Sequence, residues 1–313
     1  MTIAVILIGY AVGVGTLGAS LLRRAGWQSR APMLGIVTYL AAAWSVVAAL
    51  GLAGLTLAVH ATALGGELSA LIGACVLRLR ETYGTPGGAT VAVLGLALAA
   101  GIAARTLLTA LSHLRTTGHQ ALAHAQTARL IGRPEPALGA VLVEHADPVA
   151  YCVAGRHPTV ILSTGALGVL DPAELRAVVA HERAHLAGRH HRLLALARIG
   201  ALVLPFLPLM RDADAQVARL VEMHADDTAV RASDPRSLAT ALVVLATGAR
   251  PAPALAASGT DSVARIHRLL RPAEPLRPAR RQLLRVAAAS LALTPVLLAI
   301  APALLALALG RVV

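Results

Sequence analysis

The chain has 313 residues, 57% of them hydrophobic and only 14% charged, with a mean hydropathy of +0.69 and a net charge of +12. That balance excludes an ordinary soluble domain. An aromatic content of 2% excludes the basic, aromatic-lined surface of a nucleic-acid binder, and attraction to anionic lipid accounts for the charge.

Residues 2–22, 31–59 and 84–111 are long and charge-poor enough to cross a bilayer, which takes about twenty apolar residues. The first lacks an Arg-rich start and a small-residue cleavage site, so it reads as a retained helix. Arg105, in the third, reads as a snorkelling side chain. The chain has no Lys, and its Arg residues cluster. Arg23, Arg24 and Arg30 follow the first span, Arg115, Arg129 and Arg133 the third, and Arg277, Arg280, Arg281 and Arg285 precede a fourth span at residues 286–310. The positive-inside rule then sets the amino terminus outside a bacterial cell membrane and residues 112–282 in the cytoplasm. Between spans two and three, Leu64, Leu68, Leu71, Ile72, Cys75, Val76 and Leu79 recur at helical spacing, as in a helix on the outer leaflet or one packed on the spans. Cys75 and Cys152 fall on opposite sides in this topology and read as apolar fillers. Residues 1–111 form a membrane region, 112–282 a second domain, and 283–313 the last helix with a short tail that leaves no room for an extracellular sensor.

Within the second domain, residues 116–132 read as a helix leaving the membrane, with His113, His119 and His124 as solvated side chains. Residues 138–145, 149–153 and 159–162 read as short strands, whose edge offers a place for an added strand. Asp171-Pro172-Ala173-Glu174 is a capping box opening a helix through His181-Glu182-Arg183-Ala184-His185, with Gly188 as its stop. Residues four apart share a helical face, so both imidazoles can meet one zinc ion, with the Glu182 carboxylate beside it to take a proton from water. A third protein ligand is required. Glu222 and Asp226, four apart on a helix read over residues 217–230, supply one ligand and one partner for the far nitrogen of a ligand His. Tyr151, His224, Arg231 and Arg265 are candidates to steady an oxyanion, with the two Arg read first as structural partners of Asp226 or Asp227. Residues 199–210, apolar with Pro205 and Pro208, are too short to span; they read as a buried helix or a dip into the inner leaflet. Residues 233–246 read as helix, 249–257 as loop and 271–281 as a proline-rich linker.

The motif with its lead-in Val160-Ile161-Leu162-Ser163-Thr164-Gly165-Ala166-Leu167, followed by Glu222-x-x-x-Asp226, resembles the glutamate-zincin metallopeptidases. It is similar to the antibiotic-sensing receptor peptidases, and to the heat-shock membrane proteases and CAAX prenyl proteases. Arg265-Ile266 is present, but Gly259-Thr260 stands where the prenyl branch has His-Pro, which favours the receptor type. The resemblance implies one zinc ion on His181, His185 and Glu222, with Glu182 as general base and Asp226 behind the ligands. The expected fold is a mainly α integral membrane protein. Four transmembrane helices carry a cytoplasmic α+β zincin-like metallopeptidase domain between helices three and four. The expected function is zinc-dependent hydrolysis of a cytoplasmic or membrane-proximal protein, and the receptor-type resemblance implies a transcriptional repressor as substrate. A general quality-control protease and a non-proteolytic zinc-bearing scaffold are the alternatives.

Overall fold

A computed structural model describes residues 2–58, 88–155, 157–248, 253–271 and 274–310. The amphipathic helix expected around residues 64–79, with Cys75, lies outside these. Helix α1 (Thr2–Gly13) passes through a π-helical stretch (Val14–Gly18) into α2 (Ala19–Arg24), and a 3₁₀ turn (Gln28–Arg30) leads to α3 (Pro32–Ala58). Helix α4 (Gly88–Ile131) is one 44-residue rod, so the third apolar span and the helix expected beyond it are continuous. Four strands and the short α5 (Thr164–Val169) precede α6 (Pro172–Ala187), α7 (His190–Val203), α8 (Pro208–Ala229), α9 (Pro235–Gly248), α10 (Pro253–Leu270) and α11 (Pro278–Gly310). Of the loop expected over residues 249–257, the part from Pro253 onward is helix instead, proline being well suited to a first helical turn, and residues 249–252 lie outside the described residues.

Among the described residues four helices are long and apolar enough to cross a membrane: residues 2–24, α3, α4 and α11. Tyr10 ties three of them together, its hydroxyl lying 2.9 Å from both Ser45 Oγ and Leu291 O. Helices α3 and α4 meet backbone to backbone. A Cβ placed on Gly54 would lie 2.6 Å from Gly95 O and 2.7 Å from Ala99 N, whereas one on Gly101 meets nothing within 4 Å. Small residues permit this approach. Gly54→Leu is expected to cost about 1–3 kcal/mol or more by overpacking. The thermal midpoint of the purified chain in micelles should drop, with Gly101→Leu near neutral as the control.

The sheet has the order β1-β2-β4-β3, with β2 (Ala140–Val143) and β4 (Thr159–Ser163) parallel, and β1 (Arg133–Glu135) and β3 (Ala150–Val153) antiparallel to their neighbours. Strand β1 was not expected, because three residues containing Pro134 carry no alternation; its place on an edge is where proline is tolerated. Leu142, Val160 and Leu162 from the sheet pack with Leu175, Val178 and Val179 of α6 and Ala241 of α9. A second core joins Leu7 of α1 and Ile36, Tyr39 and Val46 of α3 to Val203 of α7 and Leu209, Val217 and Leu220 of α8. The first apolar helices of the chain thus share one interior with α7 and α8.

Candidate metal centre

The capping box at the start of α6 is complete. Asp171 Oδ1 accepts from Ala173 N at 2.7 Å and Glu174 N at 2.8 Å, while Asp171 N donates to Glu174 Oε2 at 2.9 Å. This start sets the helical phase that turns His181 and His185 toward α8. His181 Nε2 and His185 Nε2 are 3.1 Å apart, and the Glu222 carboxylate oxygens lie 3.5 Å from the first and 3.4 Å from the second. Zinc–ligand distances of about 2.0–2.1 Å in a tetrahedron separate ligand atoms by about 3.3–3.4 Å. The three side chains therefore fit one zinc ion, and each offers an atom within 4.8 Å of the others.

Asp226 is fully buried, with an oxygen 3.0 Å from His181 Nδ1. Arg265 grips it bidentately, Nε and Nη2 each at 2.8 Å, and reaches Glu222 with Nη1 at 2.9 Å. Burial opposes the charged form of Glu222, but His181, His185 and Arg265 hold its carboxyl well below the usual range. Burial likewise depresses His181, yet Asp226 and Glu222 together lift it to about 9. Glu182 departs the other way: burial raises it, against the pull of His181 and His185.

Behind His185 stands His190, 1% exposed. Its Nδ1 is 3.0 Å from His185 Nδ1, and its Nε2 is 2.9 Å from His224 Nδ1. Burial, then the neighbouring His185 and His224, push His190 down to about 4, so it is neutral at pH 7. A neutral imidazole has one donor and one acceptor nitrogen. With Nε2 of His185 turned to the centre, its Nδ1–H donates to His190 Nδ1, and His190 Nε2–H donates to His224 Nδ1. Arg189 (φ 49°) breaks the helix between α6 and α7 and resets the register. Gly188 leaves room for the returning ring, since a Cβ there would sit 2.7 Å from His190 Cδ2.

Helices α6 and α8 thus bring together two His and one Glu, with buried polar partners behind each His. The sequence matches peptidase family M48 over residues 115–273, just over half of the chain. The chain belongs to peptidase family M48. No curated protein and no solved structure matches it.

In this M48 peptidase, a cleft of about 780 Å³ runs past the centre. His113, Leu114, Ala121 and His124 of α4 form one wall, Tyr151–Gly155 along edge strand β3 another, and His185, Leu186 and Leu194 the floor. Of the four oxyanion candidates Tyr151 alone lines this cleft; it is 39% exposed. His224 sits behind His190, Arg265 is engaged with both carboxylates, and Arg231 is exposed at the end of α8. Asp227 pairs with Arg268 at 2.6 Å, a partner the sequence did not single out. Neither did it single out His190, whose signal was the His190-His191 pair just beyond Gly188. Cys152 was read as filler, but it stands against Glu182, and burial with that carboxylate pushes the thiol up to about 12. His190→Phe keeps the packing and removes the acceptor for His185. A drop in zinc affinity of about 10- to 100-fold is expected, read by competition with a chromogenic chelator.

Proposed function

We propose that this M48 metallopeptidase is an integral membrane zinc endopeptidase that cuts a cytoplasmic or membrane-proximal protein. The observation that carries the reading is the convergence of His181, His185 and Glu222, with Glu182 one residue away and an open strand edge alongside. His181, His185 and Glu222 hold the zinc, whose chemistry when bound is to acidify water and polarise the scissile carbonyl. A substrate lies extended along β3, pairing with its backbone as a fifth strand. Glu182, ionised, takes the proton of the attacking water and passes it to the leaving amine as the C–N bond breaks. Asp226 fixes the far nitrogen of His181, and Arg265 holds Asp226 and Glu222 in place. Tyr151 steadies the developing oxyanion from the cleft wall.

The four apolar helices are read as spans, with the amino terminus outside and residues 112–282 cytoplasmic. Pairing of Arg23 with Asp212, and the bond from Arg268 Nε to Ser29 O at 2.9 Å, support a common side for the first loop and the peptidase. The receptor-type resemblance makes a transcriptional repressor the proposed substrate. Terminal-peptide proteomics on cells carrying the native chain or Glu182→Gln tests this. One repressor fragment lost in the variant is the expected result, and many lost membrane-protein fragments would indicate quality control. Identical termini in both strains would overturn the proteolytic reading.

A further inference from the structure

The α7–α8 hairpin carries a feature that peptide hydrolysis does not call for. Its turn, Leu204–Leu207, packs against the first apolar helical run: a Cβ on Gly15 would lie 3.1 Å from Leu207 Cδ1. Gly15 is eight residues before Arg23, about 12 Å along the helix. On the other side Arg105 donates from Nε to Val203 O at 2.6 Å and from Nη2 to Leu202 O at 2.9 Å. Arg105 is ten residues before Arg115, about 15 Å. Two helices thus give similar depths for the turn, each measured from a basic residue at the edge of an apolar span. The hydrocarbon half-thickness is about 15 Å.

Part of the turn's backbone is satisfied within the fold, which lowers the cost of irregular chain inside a bilayer. Pro205 and Pro208 bring no N–H. Leu204 N donates to Gly200 O, Leu207 N to Leu204 O and Met210 N to Leu207 O, at 3.1–3.2 Å. Two carbonyls at the end of α7, those of Leu202 and Val203, are taken by Arg105, a charge inside an apolar span. At the tip Leu202, Pro205 and Phe206 are exposed, Phe206 at 70%, although it is the only phenylalanine in the chain. Leu107 and Leu108 of α4 are exposed as well, at 59% and 66%.

We propose that the α7–α8 hairpin is a re-entrant wedge that inserts from the peptidase side and presents Leu202, Pro205 and Phe206 to lipid acyl chains. This rests on reading the four apolar helices as spans. Helix α8 then rises from the hydrocarbon to the bilayer surface, where Leu220 meets Gly35 in the first turn of α3, a Cβ there lying 2.9 Å from Leu220 Cδ1. Glu222 follows two residues later, so the wedge anchors the metal centre at the membrane surface.

The test uses the full chain, with Cys75 and Cys152 replaced by Ala, in phosphatidylcholine–phosphatidylglycerol vesicles. Spin labels go on Phe206→Cys, Leu202→Cys, Ala215→Cys on the exposed face of α8, and Leu293→Cys on α11. Collision with oxygen, which partitions into lipid, is compared with collision with a water-soluble nickel chelate. Labels at 206 and 202 are expected to favour oxygen as 293 does, with 215 favouring nickel. Preference for nickel at 206 and 202 while 293 stays in lipid would overturn the wedge alone. Shielding of both from both reagents would also overturn it, placing protein, such as a second copy of the chain, over the tip. Preference for nickel at 293 would instead overturn the reading of the spans.

Discussion

Replacing Glu182 by Gln is expected to lower peptide-bond turnover by about 10²- to 10⁴-fold, the range for loss of a positioned general base. The substituted side chain has nearly the volume of the original and stays beside Cys152, but its amide cannot accept the proton. The proposed ligand atoms on His181, His185 and Glu222 are untouched, so zinc content should match that of the native chain. Turnover of a quenched-fluorescence peptide and metal analysis on the same samples separate the two effects. A variant that keeps full turnover would remove Glu182 from the chemistry. One that loses zinc as well would say only that the site had collapsed.

The second large effect is expected at Asp226. Its carboxylate is fully buried between Arg265, at 2.8 Å on both oxygens, and His181 at 3.0 Å. Asp226→Ala strands a largely buried guanidinium and leaves His181 Nδ1 without its partner. Breaking one side of a buried pair costs about 3–5 kcal/mol, so the thermal midpoint should fall steeply. Zinc affinity should fall in parallel, because the tautomer and orientation of His181 are no longer held. Asp226→Asn keeps the shape and one acceptor oxygen, and is expected to recover part of the stability. Equal midpoints for native chain and Asp226→Ala would show that Arg265 finds water or Glu222 at no net cost.

The centre is also asymmetric in a way that bears on both variants. His181 is backed by a charged pair, Asp226 and Arg265, while His185 is backed by the neutral His190 and then His224. A carboxylate strengthens the donor it backs more than a neutral ring does. Asp226 variants are therefore expected to lose more zinc affinity than His190→Phe, and the same chelator titration ranks them.

The local features of this protein were determined by the sequence alone. Apolar runs marked the helices because burying or spanning needs length and little charge. The capping box marked the start of α6, and four-residue spacing placed His181 with His185 and Glu222 with Asp226 on single faces, because helical geometry acts within one element. What joined those faces was decided by tertiary packing. Arg265, Arg268 and Cys152 were brought to Asp226, Asp227 and Glu182 by crossings of elements far apart in the chain, which periodicity does not encode. Arg189 in the left-handed region restarted the register, so no helical count could carry His190 back to His185. The apolar stretch at 199–210 shows the same division: its composition favoured a buried helix and left a membrane dip open. The contact of Leu207 with Gly15 and the hold of Arg105 on two carbonyls came only with the fold, because satisfying a backbone group inside an apolar bundle depends on which neighbour stands beside it.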